Sequence, residues 1–172
     1  MNRLICSILL ILSIVSCKSA KDRLIEEIKS GEKILFNDSL KTLNEVEANK
    51  VFLNYLKYAE VYKDDTLSAT YLFKAGDLSN GLNRPAEAIS VFEKLRKNFP
   101  EYQKAPAALF MEGFIYETRL ADSEKAKEKY RLFIAQYPDH RLTPSAHASL
   151  DQLEANLSNE ALIKMFEEKN NK

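Results

Sequence analysis

Two thiols, two imidazoles and 25 carboxylates are the groups in this chain that could do chemistry. Cys6 lies inside an apolar run from Leu4 to Val15, and Cys17 stands just beyond its end. His140 and His147 are seven residues apart, a spacing that brings two ligands near each other only on a single helix. His140 instead follows Pro138-Asp139, a turn signal, and a zinc site would also need further ligands and a second shell of hydrogen bonds. Nothing points to a Ser-His-Asp arrangement. The adjacent acids Glu26-Glu27, Asp64-Asp65 and Glu167-Glu168 diverge by about 100° if helical, and a glycosidase-type pair would need one buried member with a raised pKa. No glycine-rich phosphate loop occurs. The expectation is therefore a chain that is not an enzyme and that uses no metal and no small-molecule cofactor.

The start of the chain is a segment with its own logic. Met1-Asn2-Arg3 is a short basic opening, Leu4 to Val15 is mostly Leu and Ile, and small Ser16 precedes Cys17. That is the layout of a secretory signal, and the run is shorter than the ~20 residues a spanning helix needs. Ile14-Val15-Ser16-Cys17 resembles the lipobox of bacterial lipoproteins, in which the cysteine thiol receives a diacylglycerol and becomes the new N-terminus. The resemblance implies that residues 1–17 are a lipoprotein signal peptide, that Cys17 is the lipidation site, and that the chain meets a membrane through this anchor. An ordinary cleaved signal and an uncleaved membrane helix are the other readings. Lys18 stands where, by resemblance to proteobacterial sorting, a retained inner-membrane lipoprotein often carries Asp, which implies the outer membrane and a chain facing the periplasm. With Cys6 discarded and Cys17 acylated, no thiol is left for a disulfide, so the fold rests on packing. About 155 residues suffice to bury roughly two-thirds of the unfolded surface.

Charge excludes one class of partner. The chain has 25 basic and 25 acidic residues, and loss of the leader removes only Arg3. A nucleic-acid or polybasic lipid footprint needs a clustered excess of Lys and Arg, whereas here the signs are interspersed, as on solvated helix faces. No nucleic acid is expected as a partner.

Only four Gly and five Pro occur, and apolar residues recur at i, i+3, i+4 and i+7. The pattern predicts an all-α chain with helices over 22–35, 44–62, 66–82, 85–98, 104–119, 122–136, 143–155 and 158–169. Pro85 suits a first helical turn, Pro100 and Pro138 follow helix ends, and Asp122 and Ser158 are capping types before helices. Residues 36–43 lack helical period and read as a connector. The expected division is a leader over 1–17, a tether, short helix and connector over 18–43, and a helical domain over 44–172. In the first helix Leu24 and Ile28 share a face, but Gly31 stands where the next apolar residue should be. A coiled-coil stalk wants unbroken heptads, so a helix folded back to cap the domain is expected.

Self-comparison supplies the architecture. Ala88-x3-Phe92-x7-Pro100 recurs as Ala126-x3-Tyr130-x7-Pro138, a shift of 38, and Leu72-x3-Gly76 recurs as Leu109-x3-Gly113, a shift of 37. A fixed period of this length marks a stacked helical array. Gly76 and Gly113 would let helices A and B approach, Ala88 and Ala126 would fit the crossing, and Phe92 and Tyr130 would fill the wedge beyond. These residues resemble the tetratricopeptide repeat, a helix-turn-helix unit of about 34 residues. Leu72 and Leu109 stand at the family's usual Trp and Ser79 replaces its Tyr, which Tyr116 keeps. The second unit has one more residue between its helices. Val51, Tyr55 and Tyr58 lie 37 before Ala88, Phe92 and Leu95, so helix 44–62 reads as helix B of a degenerate unit, and Pro144 to Ala155 as helix A of a third. The lengthened units are similar to those of extracytoplasmic bacterial lipoproteins, among them the helical lipoprotein of the outer-membrane β-barrel assembly machinery and the periplasmic repeat protein of the Tol-Pal system. The implied fold is a short tetratricopeptide-like α-solenoid of about three units.

The resemblance also implies a surface, because in such arrays the A helices line a concave groove. By register, that side would carry Thr70, Phe73, Asp77 and Asn80, then Ala107, Phe110, Phe114 and Glu117, then Ser145, Ala148 and Gln152. Aromatics give contact area and polar groups fix register, which suits an extended or helical peptide. Two other arrangements compete: the phenylalanines pack on the preceding B helix, or the terminal helices fill the groove. The expected function is a lipid-anchored adaptor that binds an envelope protein or peptide, with a permanent structural subunit of an envelope complex as the alternative and an enzyme as a remote one.

Overall fold

The structure is a computed structural model that describes residues 18–36 and 44–155. The leader with Cys17, most of the expected connector (37–43) and the expected closing helix (158–169) lie outside the described residues. The chain divides into two compact units, residues 1–54 and 55–172. Every regular element among the described residues is a helix, and none is long and apolar enough to cross a membrane.

In the first unit, α1 (Ala20–Phe36) starts on Ser19, whose Oγ accepts from the Asp22 N–H at 3.0 Å and donates to the Asp22 carboxylate at 2.7 Å. Helix α2 (Glu45–Val61) starts on Asn44, whose Oδ1 accepts from the N–H groups of Val46 and Glu47. Both residues satisfy donors that a helix N-terminus leaves orphaned. α1 buries Leu24, Ile28 and Gly31. Gly31 interrupts the apolar stripe for a steric reason: a Cβ there would collide with Val51 Cγ2 and lie 3.1 Å from Glu47 Oε1. The glycine is thus a contact between α1 and the first half of α2.

The second unit contains the end of α2, then α3 (Thr66–Gly81), α4 (Pro85–Asn98), α5 (Ala105–Thr118), α6 (Ser123–Gln136) and α7, helical over residues 143–155. Successive helices from α3 to α6 pack as neighbours. Asp65 caps α3 by accepting from the Leu67 N–H at 2.8 Å, and Asp122 caps α6 by accepting from the Lys125 N–H at 3.0 Å. Pro85 opens α4, where its missing N–H removes no intrahelical bond.

Two kinds of turn alternate, and each repeats. Between B and A helices, Tyr62, Phe99 and Tyr137 each donate back four residues, and the N–H groups three and six residues later bond 65 to 62 and 68 to 65, 102 to 99 and 105 to 102, 140 to 137 and 143 to 140. The same backbone at three sites, 37 and 38 residues apart, makes α2 a B helix and α7 an A helix, as the periodicity predicts. Ser68 Oγ and Thr143 Oγ1 donate to the carbonyls of Tyr62 and Tyr137 at 2.6 and 2.7 Å, and Ala105 holds the matching buried position.

Between A and B helices the reversal uses one left-handed residue, Asn83 at φ 57° and Ala121 at φ 51°. In the first hairpin Arg84 N–H reaches the Ser79 carbonyl and Asn83 N–H the Asn80 carbonyl, the pattern of a Schellman closure. The second hairpin absorbs its extra residue here, because Arg119 and Leu120 both donate to the Ile115 carbonyl and Asp122 reaches back to Tyr116.

The core follows the repeat. Leu72, Ala88, Phe92 and Leu95 are buried in the first hairpin, and Leu109, Ala126, Tyr130 and Phe133 in the second, where Ala146 and Leu153 of α7 join them. The glycines do something more specific than admit a backbone. A Cβ on Gly76 would lie 2.5–2.8 Å from the Phe92 ring, and one on Gly113 3.0–3.1 Å from the Tyr130 ring. The glycine of each A helix makes room for the aromatic ring of its B helix.

Candidate partner-binding face

The residues expected on the inner side of the A helices are differently disposed. Asp77, Phe114 and Gln152 are exposed, while Thr70, Phe73, Asn80, Phe110 and Glu117 are half-buried. The rings of Phe73 and Phe110 pack on the B helix of their own hairpin, Phe73 on Phe92 at 5.6 Å between centroids and Phe110 on Tyr130 and Phe133 at 5.6 and 5.7 Å. Neither the free groove aromatic nor the aromatic packed on a preceding helix describes them. Phe114, 38% exposed, is the one phenylalanine of the three that faces outward.

Residues of the turn before α5 fold over the α3 face. Tyr102 donates to Thr70 Oγ1 at 3.3 Å, and Lys104 Nζ lies 4.7 Å from the centroid of the Phe73 ring. Asp77 is exposed by area, yet burial around its carboxyl raises its pKa, an effect that the nearby Lys104 ammonium only partly offsets. Three residues on, Asn80 Oδ1 is buried with no hydrogen-bond partner.

The repeat explains that orphan. Asn80 and Glu117 occupy one register, as do Phe92 and Tyr130. In the second hairpin the Tyr130 hydroxyl donates to Glu117 at 2.6 Å, whereas Phe92 in the first has no hydroxyl to offer Asn80. Burial, with the Glu117 carboxylate beside it, pushes the Tyr130 hydroxyl well above its ordinary range.

A charged network on the same elements is absent from the sequence-based expectation. Glu112, fully buried in α5, accepts from Arg96 Nε at 2.6 Å and Nη2 at 3.0 Å, and from Lys129 Nζ at 2.8 Å. Lys129 also reaches Glu93 at 3.0 Å. Burial alone would lower the Lys129 pKa, but its bonds to Glu112 and Glu93 outweigh that and raise it. The matching positions one unit earlier are Ala59, Ala75 and Val91, all buried. The signal was present as a charged triad where the previous unit is apolar, but only the fold brings the three residues together from α4, α5 and α6.

Both histidines have ordinary surroundings. His140 Nδ1 accepts from the Leu142 N–H and its ring meets Phe133 edge-on, while His147 is exposed. No cluster of three or more His, Cys, Asp or Glu among the described residues could hold a metal.

The repeating hairpins, the ring-accommodating glycines and the recurrent turns define a short all-α solenoid of the tetratricopeptide type. The tetratricopeptide-repeat family profile matches residues 70–102 and 107–140, the spans of the two complete hairpins, so the protein is tetratricopeptide-repeat-like. No curated protein matches the chain significantly. Repeats of this family characteristically mediate protein–protein contacts, which is the general activity the two hairpins support.

Proposed function

We propose that this chain is a lipid-anchored, non-catalytic adaptor of the bacterial cell envelope that holds a protein or peptide against α3, α5 and α7. The observation that carries this reading is that the A helices keep an exposed aromatic, Phe114 of α5, and at the same register one repeat earlier an exposed carboxylate, Asp77 of α3, whose pKa is raised by partial burial. Groups that cost stability in the free protein are natural at a binding surface, where a partner supplies what they lack. The lipobox-like Ile14-Val15-Ser16-Cys17 supports the anchor. Two acyl chains suffice for stable attachment where one does not, and attachment raises the effective concentration of a weak binder at the membrane where its partner sits.

A photocrosslinking residue at position 114, with a second at exposed Leu132 on α6 as control, tests the reading in the native envelope. A discrete protein adduct is expected at 114 and not at 132. Identical adducts at both positions would refute a face-specific adaptor. A single stoichiometric adduct would favour the permanent subunit, and several substoichiometric ones the adaptor. In parallel, radiolabelled fatty acid should mark the wild type and not Cys17→Ala.

A further inference from the structure

Helix α7 keeps the repeat on one side and breaks it on the other. Counted 38 residues on from α5, the spacing that relates their turns, Ala108 and Ile115 become Ala146 and Leu153, buried like their counterparts. The buried Leu and ring-accommodating Gly of each hairpin, Leu72 with Gly76 and Leu109 with Gly113, become His147 with Asp151, both exposed. The sequence beyond α7 agrees. Ala88, Phe92 and Leu95 recur as Ala126, Tyr130 and Phe133, but a further step of 37 or 38 residues lands on Ile163, Glu167 and Asn170 or on Lys164, Glu168 and Asn171. Neither set has the small residue for a crossing or the ring for a wedge, so neither register suits residues 158–169 to the B helix of a third hairpin. They nevertheless carry Ala161, Leu162, Met165 and Phe166 at i, i+1, i+4 and i+5, an apolar stripe of helical period.

We propose that residues 158–169 fold back along α7 as an amphipathic helix and lay this stripe on the A-helix face beside Phe114, holding the place of a partner until one displaces them. The proposal rests on the reading that this face holds a partner, and it names the segment of the chain that competes. Phe114 is the outward-facing phenylalanine of that face, and α7 adjoins it: Ser149 hydrogen-bonds the Tyr130 hydroxyl, which donates to Glu117, one turn beyond Phe114 on α5. The register of Phe114 falls on Gln152 in α7, between exposed Ala148 and Ala155, short side chains that leave space for a helix to lie close. The other sides of α7 are taken or unsuited, since Ala146 and Leu153 pack into the second hairpin and His147 and Asp151 would meet an apolar stripe with polar groups. The chain also reaches. Helix α7 is described to Ala155, three residues past Gln152, and a helix over 158–169 is about 18 Å long, enough to return past Phe114, where Met165 and Phe166 supply adaptable and aromatic contacts.

The test uses the purified full chain in mild detergent, as an equal mixture of ordinary and heavy-nitrogen-labelled protein, with a photocrosslinking residue at position 114 or, as control, at 151, and peptide mapping by mass spectrometry. Crosslinks from 114 to residues 158–169 within a single copy are expected, and none from 151. Crosslinks from 151 would overturn the proposal in favour of a third hairpin, mixed-isotope crosslinks would overturn it in favour of a second copy, and no crosslink to the segment from either position would overturn it outright. Leu162→Asp with Phe166→Asp should remove roughly nine-tenths of the crosslink at 114 and raise the partner adduct at 114 in the native envelope roughly two- to fivefold, because the face is then open more of the time; an unchanged adduct would refute the competition. An envelope adduct at 114 without the crosslink to 158–169 would overturn this proposal and leave the partner-binding face intact. The crosslink without any envelope adduct would keep the segment in place and overturn the partner-binding reading instead.

Discussion

Removing the Glu112 carboxylate should be among the most damaging single changes in the second hairpin. Glu112 is fully buried and neutralises two cations, Arg96 and Lys129, whose side chains are only 20% and 12% exposed. In Glu112→Ala those cations lose three hydrogen bonds from one carboxylate, and Lys129 keeps only Glu93. Breaking one partner out of a buried ion pair typically costs ~3–5 kcal/mol. Both cations retain some access to water, which places the expectation at about 3 kcal/mol. For a chain of this size that corresponds to roughly 6–12 °C in the thermal midpoint. The previous unit supplies the control, because Ala59, Ala75 and Val91 fill the same register without charge. The triple replacement Arg96→Ala, Glu112→Ala and Lys129→Val should therefore cost less than Glu112→Ala alone, since well-packed apolar residues often replace a buried ionic triad at little loss. Urea unfolding followed by far-ultraviolet circular dichroism measures both. If the triple variant is less stable than the single one, the network contributes net stability and the reasoning from unpaired buried charge is wrong.

Gly76→Ala should destabilise by ~1–3 kcal/mol and more than Gly113→Ala, because its Cβ would sit closer to the facing ring; thermal midpoints in the reverse order would contradict the geometry. Ala121→Gly should raise stability by ~0.5–1 kcal/mol by relieving a positive φ, read as a higher urea midpoint. Phe92→Tyr offers Asn80 the donor that Tyr130 offers Glu117 and should gain ~1 kcal/mol; a loss would show that the first hairpin has no room for the hydroxyl. Asp77, with its pKa raised by burial, favours the folded state while protonated and loses that contribution as pH rises through its folded value. Asp77→Asn should therefore be more stable than wild type at pH 7 and match it once the pH falls below the ordinary carboxylate range of about 3.9, and an equal gap at both pH values would rule out titration of Asp77 as the cause.

Periodicity, Pro85, Pro100 and Pro138, and the recurrence of Ala88, Phe92, Leu72 and Gly76 one unit later were enough to read the helices of the two hairpins and their order, because local preferences and the buried stripe agree over every turn of those helices. The same text made α2 a B helix, which the recurrent turn at Tyr62 bears out. Gly31 was legible only as a gap in a stripe; the reason for it, Val51, lies twenty residues away and is brought there by packing. Phe73 and Phe110 could be assigned to an A-helix register but not to a partner, since the choice between an open groove and the ring of Phe92 or Tyr130 depends on how the hairpin closes. Glu112 reads in sequence like any other helical glutamate, and Asn80 like any other helical amide. Burial of the one between Arg96 and Lys129, and the missing donor for the other, exist only because helices distant in sequence meet, so tertiary structure alone decided which buried polar groups of this chain are paired and which are left without a donor.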